Sequence, residues 1–396
     1  MSELIEKNED RAAIRCLLLA GVSALALTTN MTCETALAAQ DTDRPTVWIE
    51  VGGEIQQMQG LSSPFLAPFM GVTPTPAPYV GDPFVGPQHA NRISVALDGK
   101  LSFQPEGSNW IFSAGIQYGR SNKNKHVHHQ TPNQPAEFTF YFAYYHTNYH
   151  LSTTFNEQPH ADTRALFKES HMVLDFQAGR DVGLGLFGRF GTSTLNGGVR
   201  FAQFSNKSSI DIQARPAVNA DAVYETLFSG YISFPRLFPN FYQYHLQGAA
   251  TRNFRGVGPS LSWNASADLL GNPEDGELTV DWGINAALLF GRQKTETSHA
   301  TEAHHRYFTN PGGYNFQSHY APISSNSGHS RRSRSVVVPN VGGFAGFSVK
   351  YPNAKFSFGY RIDTFLGAMD TGIDTRQTSN VMFHGPYAAF SIGLGG

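Results

Sequence analysis

The chain of 396 residues has little charge, very few cysteines and no long hydrophobic run. Disordered chains are rich in charge and poor in aromatics, so a chain with 15% charged and 13% aromatic residues is not of that class. The 39 glycines argue against a helical bundle. No internal apolar run reaches the roughly 18 residues of a membrane-spanning helix. The net charge of −2 lacks the basic surplus of a nucleic-acid-binding protein. An all-β protein remains, either soluble or in an outer membrane.

Both cysteines, Cys16 and Cys33, fall in an N-terminal segment that differs from the rest of the chain. An apolar run begins at Cys16, two arginines precede it, and small residues around Ala38 follow it. This order predicts a signal peptide, residues 1–38, followed by a barrel domain, residues 39–396. An uncleaved N-terminal anchor is the alternative. The mature chain would have no cysteine, so a closed hydrogen-bonded sheet would have to replace disulfides.

Several segments alternate apolar and polar residues with a period of two, the pattern of a β-strand. These runs exceed the about 5–6 residues of an average soluble strand and suit a tilted membrane-crossing strand of about 9–11 residues. Aromatics near the strand ends suit interfacial girdles. A transmembrane antiparallel β-barrel is therefore predicted, with a large soluble β-sandwich or lectin as the alternative. The clearest alternating segments are 93–103, 110–118, 278–290 and 356–362.

Some of these runs are separated by only a few turn residues, whereas others are separated by long segments. Short periplasmic turns are predicted at 104–108, 271–276 and 351–354, and long extracellular loops between the other strands. The count is about twelve strands, or fourteen if 244–270 hides two, although one long strand could cross residues 172–186. The predicted strands are 47–57, 92–103, 109–119, 136–150, 169–178, 182–189, 195–214, 244–270, 277–292, 333–350, 354–366 and 383–394.

Several distinctive stretches resemble one family. They are HMVLDFQAGRDVGLG at 171–185, GVRFAQF at 198–204, NFRGVGPSLSW at 253–263, FGYR at 358–361 with GAMDTGID at 367–374, and GPY with IGLG near the C-terminus. Together they resemble the pore-forming outer-membrane proteins similar to the Legionella major outer-membrane protein, over roughly residues 160–396. The resemblance implies a porin-like barrel of a Gram-negative bacterium. It implies no catalytic residue and fixes neither pore size nor solute.

Charged residues on the polar faces of the strands are expected to line the lumen. At the bilayer midplane a lipid-facing Arg or Lys would cost about 2–4 kcal/mol. Both signs occur, so no preference for anions or cations follows, and some pairs could be salt-bridged plugs. The lumen-facing candidates are Arg92, Asp98, Lys100, Asp281, Lys355, Arg361 and Asp363. A further segment, 61–90, is rich in proline and is expected to be an external loop or an inward constriction.

The polar segment 293–332 is expected to be a long outer loop with three arginines near the headgroup level. Arginine pairs with phosphate bidentately, so Arg331, Arg332 and Arg334 are candidates for contact with lipopolysaccharide. Solvated loop charge is the alternative. The same segment holds five histidines that would become charged below a pH of about 6.5 and make the loop cationic.

Neither a metal site nor an enzyme is predicted, and no cofactor is expected. The histidines, including His126, His128 and His129, lack a recognisable ligand spacing and are interpreted as surface residues. Ser260 is not in a nucleophile elbow, and its spacing to His245 and Asp268 matches no triad.

A porin-like protein that lets small hydrophilic solutes diffuse through the outer membrane is therefore the predicted function. The alternative is a plugged barrel that acts as a surface adhesin or structural anchor, since barrels of about twelve strands can be filled by side chains. The expected partners are outer-membrane lipids, lipopolysaccharide, the outer-membrane assembly machinery and small hydrophilic solutes. Nucleic acid is not expected, and the oligomeric state stays open.

Overall fold

The structure is a computed structural model whose described residues form fourteen strands and no helix. The described residues are 47–59, 93–121, 124–130, 136–144, 147–157, 160–182, 192–215, 218–227, 232–272, 274–309, 316–373 and 375–394. The predicted signal peptide at 1–38, segment 61–90 and Arg92 lie outside them. The strands are β1 (Val47–Gln59), β2 (Ile93–Phe103), β3 (Trp110–Arg120), β4 (Asn124–Gln130), β5 (Ala136–Tyr144), β6 (Thr147–Phe155), β7 (His160–Asp181), β8 (Thr192–Arg215), β9 (Val218–Leu227), β10 (Ile232–Asn272), β11 (Gly276–Thr309), β12 (Gln317–Lys350), β13 (Ala354–Asp370) and β14 (Thr378–Leu394).

Ten strands pair into one antiparallel ring, in the order β1-β2-β3-β7-β8-β10-β11-β12-β13-β14. The first and last strands close it, with Val47 opposite Leu394 and Ile49 opposite Ile392. β4 continues along β7 beyond the end of β3, and β9 pairs with the outer part of β10, so the whole sheet has twelve strands. Closure gives each ring strand two hydrogen-bonded neighbours, as a sheet in lipid requires.

The predicted all-β barrel is confirmed, but the ring has ten strands where twelve were expected. Segment 136–150 forms a separate two-stranded sheet, β5 with β6. β7 runs to Asp181, and nearly all of the expected strand at 182–189 lies outside the described residues. The stretch 244–270 is part of one 41-residue strand, β10, rather than two strands.

Short turns lie together at one end of the ring. Residues 104–109 and 351–353 connect successive strands there, Asn272 lies opposite Gly276 at a third turn, and both termini of the ring lie at the same end. Gly271 and Gly276 flank one turn with φ of +97° and +114°, a backbone region that glycine enters without a steric penalty. The amide of Tyr351 donates to the carbonyl of Ala354 (2.8 Å) across another turn. The connections from β1 to β2, from β11 to β12 and from β13 to β14 lie at the other end, which we call the loop end.

The outward face of the ring carries a band of exposed apolar side chains. On β11 the outward positions from Leu278 to Phe290 are all apolar, and Ile284 in the middle is 55% exposed. Thirteen strand residues at about 3.3 Å each and a tilt of about 40° span roughly 30 Å, the thickness of a bilayer core. Within the described residues, no helix is long and apolar enough to span a bilayer.

Five strands continue past this band at the loop end. β7, β8, β10, β11 and β12 extend outward as a paired sheet, and β11 stays paired with β12 as far as Thr309 opposite Gln317. This corrects the expectation for 293–332. Residues 293–309 and 317–332 are paired strands instead of a loop, because Thr, Ser and Ala at many of their inward positions pair and pack as a strand despite the polar composition.

Candidate functional site: the barrel interior

The inward positions within the apolar band carry charges, with Arg200 on β8 as one centre. Its guanidinium donates to both carboxylate oxygens of Asp175 on β7, at 2.7 and 2.9 Å. It also donates to the side-chain oxygens of Asn285 on β11 and Asn340 on β12. The carboxylate of Asp363 on β13 lies 4.0 Å from it. Arg200 therefore ties five strands together across the interior.

Arg361 on β13 is the second centre. Its guanidinium lies 3.1 Å from Asp98 on β2 and 3.7 Å from Glu54 on β1. The amide of Gln117 on β3 donates to the same Glu54 carboxylate (3.0 Å). Asp363, two residues from Arg361 on the same face, connects this centre with Arg200. We call the set Glu54, Asp98, Asp175, Arg200, Arg361 and Asp363 the central ion network.

The structure places the other sequence candidates near this network. Asp281 on β11 pairs with Lys355 on β13 at 2.6 Å and accepts a hydrogen bond from Ser348 (2.6 Å). Lys100 lies on the same inward alternation of β2 as Asp98 and opposite Glu50 of β1. Six of the seven lumen candidates thus occupy inward positions of the ring, and Arg92 lies outside the described residues.

An apolar layer fills the interior next to the central ion network, towards the loop end. Phe204 on β8 stacks on Phe254 of β10 with ring centroids 5.6 Å apart, and it meets Phe365 of β13 edge-on at 4.6 Å. It also contacts Phe383 on β14, 5.4 Å away. In a ring of ten strands, β8 and β14 are diametrically opposite. Opposite walls of the barrel therefore touch through their side chains.

The connection between β13 and β14 folds into the interior above this layer. The fully buried guanidinium of Arg252 donates to the carbonyls of Asp370 and Thr371, both at 3.1 Å. Arg332 pairs with the Asp370 carboxylate (2.9 Å) and donates to the carbonyls of Gly372 and Ile373, both at 2.7 Å. These bonds hold residues 370–373, which we call the inner loop, against the inward face of β10–β12.

This geometry corrects the expectation for Arg332 as a lipopolysaccharide contact. Its side chain points into the barrel and is committed to the inner loop. Arg331 lies on the outward alternation of β12, opposite Glu296 of β11, and is exposed. Arg334 is exposed and borders a cavity at the edge of the sheet. Arg331 points away from Arg332 because neighbouring residues of a strand point to opposite faces, whereas Arg334 lies on the same alternation as Arg332, opposite the inward Gln293.

The histidines of the outer hairpin stack on tyrosines. His304 stacks on Tyr320 at 4.5 Å, and Tyr307 stacks on His319 at 5.0 Å. His305 stacks on Tyr242 at 4.4 Å, and burial lowers its pKa below the usual value. The residues that the structure describes contain no group of three or more His, Cys, Asp or Glu placed to hold a metal ion. His126, His128 and His129 lie in β4.

The three residues weighed as a catalytic triad all lie on β10. Ser260 is buried on the inward face, and at about 3.3 Å per residue it lies about 50 Å along the strand from His245. His245 lies 3.6 Å from Asp211 of β8 and not near Asp268. The structure does not bring these residues together.

Several charged residues of the interior were not predicted from the sequence. Glu54, Asp175 and Arg200 alternate with apolar outward residues, so the period-two signal that selected Asp98 also applies to them. Arg252 and Asp370 carried no such signal, because their partners come from the bend between β13 and β14. Strand order and register decide which side chains meet across a barrel. Neither can be derived from the alternation within one strand.

Comparison with protein-family models and with curated protein sequences finds no match. Among solved structures, the translocator domain of the autotransporter NalP from Neisseria meningitidis is similar at 11% identity, covering 98% of each chain with a TM-score of 0.23. The β domain of the Bordetella autotransporter BrkA shows 9% identity, 88% and 99% coverage and a TM-score of 0.20. The P. putida toluene transporter TodX shows 7% identity, 90% and 91% coverage and a TM-score of 0.19.

At such TM-scores the likeness does not identify a relative. The class of the protein follows from its own strand pairing and surface. The ring is closed, its outward face is apolar over roughly the thickness of a bilayer core, and its charged residues in that zone point inward. The chain is an outer-membrane-type β-barrel.

Proposed function

We propose that this protein is a plugged outer-membrane barrel that anchors and presents its outer strand hairpins at the cell surface. The contact between Phe204 and Phe383 carries the proposal, because these rings come from opposite walls and meet across the interior. A barrel of ten strands can have a filled interior, because side chains just fill a barrel of about eight strands, whereas barrels of 16–18 strands leave an aqueous channel. Two further arrangements support it: the central ion network below the rings and the inner loop above them.

The outer hairpins supply what such an anchor would display. β11 and β12 extend about eighteen residues beyond the apolar band, which corresponds to about 50–60 Å along the strands. Near the tip, the side chains of Tyr320 and Ile323 are exposed. An epitope tag inserted between Thr309 and Gln317 should be accessible to antibody on intact cells. A tag detected only after the outer membrane is permeabilised would contradict this orientation.

A porin remains the second candidate, and one observation favours it. The two arginines and four carboxylates of the central ion network give the interior a polar lining, as the water-filled interior of a porin has. If ions pass this level, the excess of carboxylates would favour cations. Conduction would require the aromatic layer to separate and the inner loop to leave Arg252 and Arg332.

Planar-bilayer recording separates the two functions. Purified, heat-modifiable protein should give no stepwise openings in 1 M KCl, whereas the double variant Phe204→Ser, Phe383→Ser should open a path and conduct. A matched variant with Phe290→Ser and Phe358→Ser, both on the outward face, should stay silent. Stepwise openings of the unmodified protein would overturn the plug and support the porin. Silence of the inward double variant, if it is correctly folded, would show that the aromatic layer is not the barrier.

A further inference from the structure

A cavity of about 800 Å³ lies at the loop-end edge of the apolar band, between β10–β12 and the connection from β13 to β14. Arg255 of β10, Arg292 of β11, Arg334 of β12 and Arg376 of the connection all line it. Two apolar side chains, Phe290 and Val337, line it as well. Among the described residues, no carboxylate lines this cavity.

The cavity lies at the depth where a lipid headgroup begins. On β10 the outward positions are apolar up to Val257, and the next one outward is Arg255. On β11 the change is from Phe290 to Arg292, and on β12 from Val337 to Ser335. These three steps are neighbours in register, since Arg255 is opposite Arg292 and Arg292 is opposite Ser335. The boundary therefore runs straight across the three strands.

The arginines at this boundary lack the carboxylate partners that Arg200, Arg332 and Arg361 have. Arg255 and Arg292 are directly opposite each other on adjacent strands, an arrangement in which like charges repel. Arg292 donates to the hydroxyl of Ser333 (2.7 Å), which carries no charge. In the part of the chain that the structure describes, none of the four forms an ion pair with Asp or Glu. By contrast, Arg200, Arg332 and Arg361 each pair with a carboxylate.

We propose that this cavity binds the phosphate-bearing headgroup of a lipid in the outward-facing leaflet. A phosphate between Arg255 and Arg292 would remove their repulsion, because a guanidinium pairs bidentately with phosphate oxygens. Arg334 and Arg376 would add positive charge from the other side of the cavity. Phe290 and Val337, both more than half exposed, lie where the first part of an acyl chain would enter the band. The site does not depend on whether the barrel conducts.

The test measures binding of lipid A to the full-length barrel in detergent by native mass spectrometry. The unmodified protein should retain lipid A, and the double variant Arg255→Gln, Arg292→Gln should bind at least about tenfold less. Lipid A from which both phosphates have been removed should bind as weakly to the unmodified protein. Inorganic phosphate should displace lipid A only at millimolar concentration, since it lacks the acyl chains. Displacement at the same concentration as lipid A would assign the cavity to free phosphate and overturn the lipid proposal.

A matched variant controls for general loss of charge. Lys294→Gln with Arg331→Gln removes two positive charges from the same outward face of β11 and β12, outside the cavity. It should bind lipid A as the unmodified protein does. An equal loss in both double variants would show that the outer surface attracts lipid A without a specific site. Heat-modifiability on a detergent gel verifies that each variant is a folded barrel, and conductance is not used as a readout.

Discussion

The embedded part of the barrel and its outer extension use the same strands with opposite face polarity. On β10 the outward side chains Val257 and Leu261 are apolar while the inward Ser260 is polar. Beyond Phe254 the pattern reverses, so that Leu246 points inward and Gln247 points outward. The same reversal occurs on β8, where Arg200 gives way to Ile210 and Ile212 at inward positions. The alternation itself is unbroken through the change.

The reversal follows from the surroundings of each face. In the membrane the outer surroundings are hydrocarbon, so charged groups collect inside, where they pair with one another. Outside the membrane the outer surroundings are water, so apolar side chains turn inward. Phe254 and Arg255 mark the change on β10, at the level of the aromatic layer and of the arginine-lined cavity. The reversal of face polarity along a single strand therefore indicates where the membrane ends.

The largest expected effect is the difference in unfolding free energy between truncating a phenylalanine that faces the interior and truncating one that faces the lipid, both at this boundary. Phe254→Ala empties a fully buried inward site and should lower the free energy of unfolding by about 3–5 kcal/mol. Phe290→Ala should cost less, because lipid can fill the space of an outward ring. Urea unfolding from lipid vesicles, followed by tryptophan fluorescence, gives both values. The reverse order would indicate a water-filled lumen and would break the comparison.

A charge placed on the outward face should distinguish the two parts. Ile284→Arg, near the middle of the apolar band, should cost about 2–4 kcal/mol. Ala300→Arg, on the same face of β11 in the outer extension, should change the free energy of unfolding by no more than about 0.5 kcal/mol. The same unfolding assay applies. Equal costs at both positions would mean that the membrane boundary is not at Arg292.

Arg252 connects the two parts, because it holds the inner loop against β10. Arg252→Gln removes hydrogen bonds to the carbonyls of Asp370 and Thr371 and should cost about 1–3 kcal/mol. Amide hydrogen exchange should rise in residues 370–373 and stay unchanged in β1 and β2. The surface variant Lys294→Gln should alter neither. Unchanged exchange of the inner loop in Arg252→Gln would contradict the tether.

The smallest expected effect is a pH dependence confined to the outer extension. Burial lowers the pKa of His305, whose ring lies 2.7 Å from the side-chain oxygen of Asn240. Asp221 opposes this shift without overcoming it. The folded extension therefore takes up a proton at His305 less readily than the unfolded chain, in which the ordinary histidine pKa is about 6.5. The extension should lose stability as the pH falls from 7.5 to 5.

Hydrogen exchange near residues 240 and 305 measures this loss. His305→Gln should remove that part of the pH dependence. His329→Gln is the matched control, because His329 is exposed beside Glu296. A pH response of equal size in β1 or β13 would show that the effect does not come from His305.

The sequence predicted the elements of the barrel well and their lengths poorly. Each of the ten ring strands lies close to a predicted strand, because alternation with an apolar outward face is strong in the embedded part. Residues 293–332 were misassigned because the same alternation continues there with Thr and Ser inward and charges outward, which resembles a loop in composition. Among the site residues, Asp98 and Arg361 were predicted to face the interior because they lie on the polar faces of alternating strands. The contact of Arg252 with Asp370 was not predicted, because it depends on how the chain bends after β13.

The closed interior is the central claim, and thiol labelling of Ala202 tests it most directly. Ala202 is fully buried at an inward position of β8, two residues before Phe204. In a chain without Cys16 and Cys33, Ala202→Cys should react with a small charged thiosulfonate at least about a hundredfold more slowly than the exposed Ser333→Cys, since the reagent must wait for local opening. Both should react equally after unfolding. Equal labelling rates in the folded protein would show a lumen open to water and would contradict the plugged barrel.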